Sequence, residues 1–266
     1  MKIQAGCDIQ LSAPSPAPLV AMLRPRSGAA QWIISERYAF EPFVQAVEYV
    51  DSFGNLCQRM TAPAGSFRIH TEVLMEVSEA IAVDPGGGPT PIEDLPDYAL
   101  QFLLPSRYCP SDTLENVARD VVSGAKPGYD QVDAIREFIR RNIEYRSGSS
   151  NGSTSAVDTL RDKAGVCRDF SHVGLSLCRA LRIPARMVVG YLLGLKPMDL
   201  HAWFEAFVGG RWYAFDATQP EPRGGRIPIA YGRDAADVAL ITELGPLKTD
   251  SMHVWVREVE SAGLAG

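Results

Sequence analysis

The sequence predicts an α+β fold: an antiparallel β-sandwich over residues 1–95, then helices packed on a second antiparallel sheet over 96–266. Three observations carry that reading. Short apolar runs alternate with turn signals from Leu19 to Ser78, the spacing of a small antiparallel sandwich. Asp84-Pro-Gly-Gly-Gly-Pro-Thr-Pro91 then breaks the chain, since its Gly and Pro residues hold neither a helix nor a central strand. Beyond the break, helical periodicities come first and an alternating hairpin follows, an order expected of an α+β domain.

In the first unit, residues 1–18 read as an arm or first strand. Strand candidates follow at Leu19–Leu23, Trp32–Tyr38, Val44–Val50, Leu56–Met60 and Ser66–Met75, the last running on through Val73–Ala82 as one bent unit. Asp51-Ser-Phe-Gly-Asn55 is the clearest hairpin turn. In the second unit, Thr113–Val122 and Gln131–Asn142 read as helices, the latter with Val132, Ile135, Phe138 and Ile139 on one face. Ser147–Thr154 is a polar, glycine-rich loop, either a plain connection or a lip over a site, and Asp158–Arg161 is a short helix.

From Cys167 to Leu181, Phe170, Val173, Leu177 and Leu181 recur with the period of an amphipathic helix, preceded by Gly165 and stopped by Pro184. Ala185–Leu193 is a β-type run. His201–Val208 alternates, Gly209-Gly210 is a two-residue turn, and Arg211–Phe215 is the return strand. Ser251–Val259 is a closing strand that could return to either sheet.

Composition narrows the function classes. The chain has 266 residues, 46% hydrophobic and 22% charged, with a formal net charge of −6. That balance argues against nucleic-acid and anionic-membrane partners. No apolar run has the length of a membrane span and no leader pattern is present, so a cytoplasmic protein is expected. The five cysteines (7, 57, 109, 167 and 178) form no CxxC pair, which fits neither a disulfide framework nor a tetrahedral zinc site. No metal or cofactor is expected, and nothing in the pattern sets an oligomeric state.

The chemistry concentrates on Cys167. A thiol in the first turn of a helix faces unpaired N–H groups and the positive dipole end, both of which favour the nucleophilic thiolate. His172 is poorly placed as its base, being about 140° around the helix. His201 is better placed. If Val208 pairs with Arg211, His201 faces Thr218 and Asp216 becomes its diagonal neighbour on the same face, within reach of long side chains. Cysteine, histidine and aspartate then stand as nucleophile, base and orienting carboxylate. Asp169 reads as a structural residue of the first helical turn. Arg233, Asp234 and Asp237 read as a supporting polar network.

Several ordered motifs now bear on a family: Gly165-Val-Cys-Arg-Asp-Phe170, Ile183-Pro-Ala-Arg186, Gly190-Tyr191, His201-Ala-Trp203, Phe215-Asp-Ala-Thr218, and Gly232-Arg-Asp234 with Asp237. Together they resemble the bacterial transglutaminase-like cysteine protease family from about residue 100 to 266. The first 90 or so residues resemble the β-rich domain often joined to it. The resemblance implies a papain-like transglutaminase core, with Cys167, His201 and Asp216 as a catalytic triad. Asp216 precedes Ala217-Thr218 where many relatives have Pro-Thr, and calcium sites of the animal enzymes have no visible counterpart.

The implied activity is acyl transfer from a peptide or protein amide through a thioester, most simply hydrolysis. An amine-accepting transglutaminase and a catalytically silent protein-binding module are the alternatives. A zinc site from Cys167, His172 and His201 is a weaker competitor. Trp203 flanks the substrate cleft or packs on the sheet, and Tyr145 is a candidate near the substrate or oxyanion.

Overall fold

The computed structural model describes residues 1–28 and 30–259. Along the chain the elements are β1 (Lys2–Ala13), β2 (Ala17–Arg24), β3 (Gln31–Glu41), β4 (Val47–Val50), β5 (Leu56–Ala62), β6 (Gly65–Val77), α1 (Asp97–Leu100), α2 (Glu115–Val121), α3 (Tyr129–Asn142) and β7 (Glu144–Tyr145). They continue as α4 (Ala156–Asp162), β8 (Ala164–Gly165), α5 (Cys167–Ala180), β9 (Ala185–Leu192), β10 (His201–Val208), β11 (Arg211–Phe215), β12 (Arg226–Gly232), β13 (Ile241–Glu243) and β14 (Lys248–Val259).

The N-terminal sandwich consists of two four-stranded antiparallel sheets, ordered β14-β1-β6-β3 and β13-β2-β5-β4. Alternate residues of β1, namely Ile3, Ala5, Cys7, Ile9 and Leu11, are buried, as the two-residue period of a strand with one face inward demands. Strand β6 ends at Val77, so the expected continuation to Ala82 does not form. A division at residue 95 assigns 241–259 to the second unit, yet in space these residues complete the first. Strand β14 pairs with β1 from Lys2 to Ser12, and β13 pairs with β2. The closing strand therefore belongs to the N-terminal sheet.

The second unit is an antiparallel sheet, β11-β10-β9-β12, with α5 laid across β9 and β10. The β10–β11 hairpin has the register expected from sequence, Val208 opposite Arg211 through Phe204 opposite Phe215. Its turn residues Gly209 and Gly210 have φ of 57° and 80°, the two positive values that a type I′ turn needs. Helix α5 departs from the amphipathic expectation, because every residue from Asp169 to Arg179 is buried. Several of its polar side chains bond to nearby carbonyls. Ser171 Oγ donates to the Cys167 carbonyl at 2.9 Å, Ser176 Oγ to the His172 carbonyl at 2.8 Å, and Arg179 Nη2 to the Ala185 carbonyl at 2.7 Å. Gly174 lets the Phe204 ring rest on the helix, since a Cβ there would lie 2.4 Å from Phe204 Cε1.

The two units are clamped together. Asn55, 2% exposed at the end of the Asp51–Asn55 turn, donates to the Tyr231 carbonyl at 2.7 Å and accepts from the Tyr231 N–H at 2.8 Å. Its amide thus mimics one more strand residue beside β12. The Gly/Pro segment 84–91 is tied down as well: Tyr213 donates its hydroxyl to Asp84 at 3.1 Å, and the Tyr129 N–H donates to the Gly87 carbonyl at 2.9 Å.

Candidate active site

Cys167 is the first residue of α5, behind an extended N-cap, Val166, at φ −113° and ψ −177°. Asp169 closes that turn, its Oδ2 accepting from the Val166 N–H at 2.9 Å. This is half of a capping box, with the carboxylate reaching back to the residue before the helix. The same fully buried carboxylate accepts from Ser150 Oγ at 2.5 Å and Arg168 Nη2 at 3.0 Å. Arg168 Nη2 also donates to the Asn151 carbonyl at 2.9 Å. Asp169 is structural, as expected, and with Arg168 it moors the 147–154 loop to the start of the cysteine helix.

Tyr145 arrives beside the thiol through the parallel pairing of β7 with β8, Tyr145 opposite Gly165. Its ring meets Phe170 edge-on, at 5.8 Å between centroids and 73° between planes. Burial first, and then the neighbouring Cys167, raise its phenol pKa. At 51% exposure the ring still faces solvent.

His201 opens β10 and is 3% exposed. Its Nε2 donates to Asp216 Oδ2 at 2.7 Å. Asp216 directly follows β11, so the hairpin alone delivers the carboxylate to the ring. The other Asp216 oxygen accepts the Thr218 N–H at 3.0 Å and the Thr218 hydroxyl at 2.7 Å. Burial by itself would strip charge from both side chains. The Asp216 hydrogen bond and then Cys167 overcome it at the imidazole, pushing His201 up to about 9. At Asp216 the His201 bond, with help from Arg226 and Thr218, holds the carboxyl well below the usual carboxylate range. Since Nε2 is committed to Asp216, Nδ1 is the ring nitrogen left for Cys167. Gly190 pairs with His201 across β9. A Cβ at Gly190 would lie 2.1 Å from the Ile227 carbonyl, so only glycine lets β12 close on β9 here.

Sequence reasoning missed Arg226. Its Nη2 donates to Asp216 Oδ2 at 2.9 Å, the oxygen that also serves His201, and both partners are 7% exposed. No spacing links 226 to 216. They meet because β12 pairs with β9 rather than with β11. Trp203 does not form a cleft wall beside the thiol. At 1% exposure it lies under the site, 6.1 Å from the His201 ring centroid and 4.9 Å beneath the Arg226 guanidinium. Residues 201 and 203 share a face of β10, so the tryptophan packs behind the histidine.

The remaining candidates fall elsewhere. His172 is fully buried, stacked on Tyr108 at 5.0 Å, and its Nε2 accepts the Ala235 N–H at 3.2 Å. Burial brings its pKa down to about 4. Its engaged nitrogen does not join a zinc site with Cys167 and His201, and no group of three or more metal-binding side chains clusters among the described residues. Cys7, Cys57, Cys109 and Cys178 are buried, whereas Cys167 is partly exposed. Arg233 donates to Asp237 at 2.9 Å, while Asp234 accepts the Tyr108 and Ala236 N–H groups at 2.8 and 2.9 Å. That network braces the loop after β12 against α5. Among the described residues no helix is long and apolar enough to cross a membrane.

Comparison with known proteins bears on the family and the fold. The family model described as the transglutaminase-like superfamily matches residues 115–217. A solved structure from Cytophaga hutchinsonii, named "putative cysteine protease", is 36% identical and superposes with a TM-score of 0.91, over 98% of this chain and 91% of that one. An uncharacterized protein of Mycobacterium leprae is 29% identical over 237 residues, 82% of this chain and 83% of the relative. Another, of Mycobacterium bovis, is 26% identical over 245 residues, 81% of this chain and 77% of the relative. With 36% identity and a matching fold over nearly the full length of the Cytophaga protein, and the family match spanning the helix and hairpin just described, the chain belongs to the transglutaminase-like superfamily.

Proposed function

We propose that the chain is a cysteine-dependent enzyme that hydrolyses a peptide or protein amide, with Cys167 as nucleophile, His201 as base and acid, and Asp216 as the orienting carboxylate. The observation that supports it best is the buried His201–Asp216 pair, 2.7 Å apart, beside the one cysteine that is not buried. A buried carboxylate that fixes the ring through Nε2 selects the tautomer and stabilises the imidazolium. The full-length resemblance to a protein named as a cysteine protease points the same way.

In this reading Cys167 Sγ passes its proton to His201 Nδ1 and attacks the amide carbon. The new oxyanion accepts from the Cys167 backbone N–H at the helix start, with Tyr145 as the second donor. His201 returns the proton to the leaving amine, the C–N bond breaks, and a thioester remains. Water then loses a proton to His201 and attacks the thioester. The acid departs, and the proton goes back to sulfur.

Alkylation of Cys167 by iodoacetamide across pH 5–9 is the direct test. Cys167 should react well ahead of a model thiol at pH 6, and His201→Ala should abolish that advantage. Asp216→Asn should lower amide turnover by roughly two orders of magnitude or more. A Cys167 no faster than a model thiol, and indifferent to His201→Ala, would refute the mechanism. A glutamine peptide, with and without a primary amine, then distinguishes the fate of the acyl group. Ammonia release without amine incorporation is expected, and incorporation would make the chain a transglutaminase.

A further inference from the structure

The carboxylate of Asp216 is crowded with donors. Oδ1 takes the Thr218 N–H and hydroxyl, while Oδ2 takes His201 Nε2 at 2.7 Å and Arg226 Nη2 at 2.9 Å. An imidazole and a guanidinium thus meet on one oxygen. Arg226 is buried, lies over Trp203 at 4.9 Å, and donates from Nε to the Arg223 carbonyl at 3.1 Å. Its Nη1 has no hydrogen-bond partner in the protein. Burying a guanidinium is costly, and leaving one of its amino groups unpaired adds to the cost. A mere fastener for Asp216 needs no such group, since Thr218 already makes two bonds to it and a neutral donor could make a third.

The other charged groups nearby are engaged elsewhere or exposed. Asp133 and Arg136 of α3, next to Asp216 and Arg226, bond each other at 2.8 Å. Glu205 on β10 holds Arg186 of β9 at 2.8 Å. Arg211 of β11 stands at the hairpin end, over Tyr213. Asp199, before β10, and Glu221, before β12, are exposed. On α5, Arg168 and Asp169 bond each other, which leaves Cys167 to face the ring. Arg226 is then the permanent cation on Asp216.

Amide cleavage asks His201 to work in both directions. The imidazolium gives its proton to the leaving amine, and the imidazole later takes one from water. A buried carboxylate with no other partner would favour the imidazolium at both steps. A fixed cation on the same oxygen opposes it by like-charge repulsion. We propose that Arg226 is a positioning residue that takes a share of the Asp216 charge, so that the carboxylate holds the His201 ring yet still lets it release its proton. Arg226 acts through Asp216 Oδ2. Its part in turnover rests on the roles proposed for Cys167, His201 and Asp216, whereas its hold on the His201 proton does not.

The test is an NMR titration of the His201 ring nitrogens in histidine-labelled protein carrying Cys167→Ala, where no thiol chemistry enters. His201→Gln identifies the signal among the four histidines. Adding Arg226→Gln should raise the His201 midpoint by about one pH unit or more, the effect of losing a like charge some 4–6 Å away. Arg226→Met, unbranched and suited to packing on Trp203, is the second neutral variant and should act the same way. Arg226→Lys keeps the charge and should move the midpoint less than half as far. With Cys167 intact, Arg226→Gln should carry the acid limb of iodoacetamide alkylation to lower pH. If the thiol reading fails, that limb disappears while the NMR shift remains. The proposal is overturned if His201 titrates alike with arginine and a neutral residue at 226, or if lysine shifts it as far as glutamine does. It is overturned also if the chain folds with neither neutral residue, since Arg226 then serves the fold.

Discussion

His201 and His172 are both inside the protein, yet burial has opposite consequences for them. His201 has a carboxylate partner and its pKa rises to about 9, whereas His172 accepts one backbone N–H and falls to about 4. A raised pKa means that the folded state binds the proton more tightly. His201 therefore contributes its full share below its unfolded value near 6.5 and loses it as pH climbs through 9. A lowered histidine pKa works in reverse, and stability tied to His172 drains away as pH falls from 6.5 towards 4. Asp216 adds a loss only at still lower pH, since its carboxyl is held down in the fold. Denaturant midpoints measured from pH 4 to 9.5 should peak near neutrality, with limbs of about 3 kcal/mol each. His201→Gln should flatten the alkaline limb alone, and His172→Phe the acid limb alone. A profile that neither variant alters would contradict these assignments. The residues of the proposed triad were legible because helical angle and hairpin register are local rules. Arg226 was not legible, since its approach depends on which strand lies beside β9; for Trp203 the sequence left cleft and sheet packing open, and the residue packs on the sheet.

At the scale of an element, α5 shows what periodicity conveys and what it omits. Phe170, Val173 and Leu177 mark its inner stripe in the sequence, and all three are buried. The stripe does not reveal that α2, α3 and α4 also pack around the helix. Polar residues on its other faces look solvated from sequence, but Ser171, Ser176 and Arg179 spend their hydrogen bonds on nearby carbonyls. Gly174 makes the difference measurable. On an exposed helix, Gly→Ala would stabilise by about 1 kcal/mol. Here the added methyl meets Phe204 Cε1 at 2.4 Å inside a packed core. Gly174→Ala should therefore destabilise by about 1–3 kcal/mol in urea unfolding, as overpacked cores do. A more stable variant would show that Phe204 yields freely. Strand β12 escaped notice for another reason. Pro228 breaks its pattern, and the structure tolerates the proline at an edge strand where the register with β9 shifts.

Over the whole molecule, the sandwich and the core are not successive beads on a chain. The break at 84–91 is real as a stretch without helix or strand, but strands β13 and β14 cross back over it to finish the sandwich. Composition marks the break and carries no information about that return. Deleting residues 248–259 should strip β1 of one neighbour, and it should cost the Cys167 helix its cooperativity with the sandwich through the Asn55–Tyr231 clamp. Thermal unfolding of the truncated chain should be broad or split, while the intact chain melts in one step. A truncated chain that melts like the intact one would mean that the two units are energetically independent.

The β1–β14 pairing also sets a timetable. On the ribosome, β1 can pair with β6 early, but its other edge waits for β14 to be made. At ordinary elongation rates the wait lasts roughly ten to thirty seconds, long enough for the helices and the hairpin of the core to form. Until then β1 offers a bare row of backbone groups to any neighbouring nascent chain. A stalled product lacking β14 also displays its incompleteness as an open sheet edge that quality-control proteases can read.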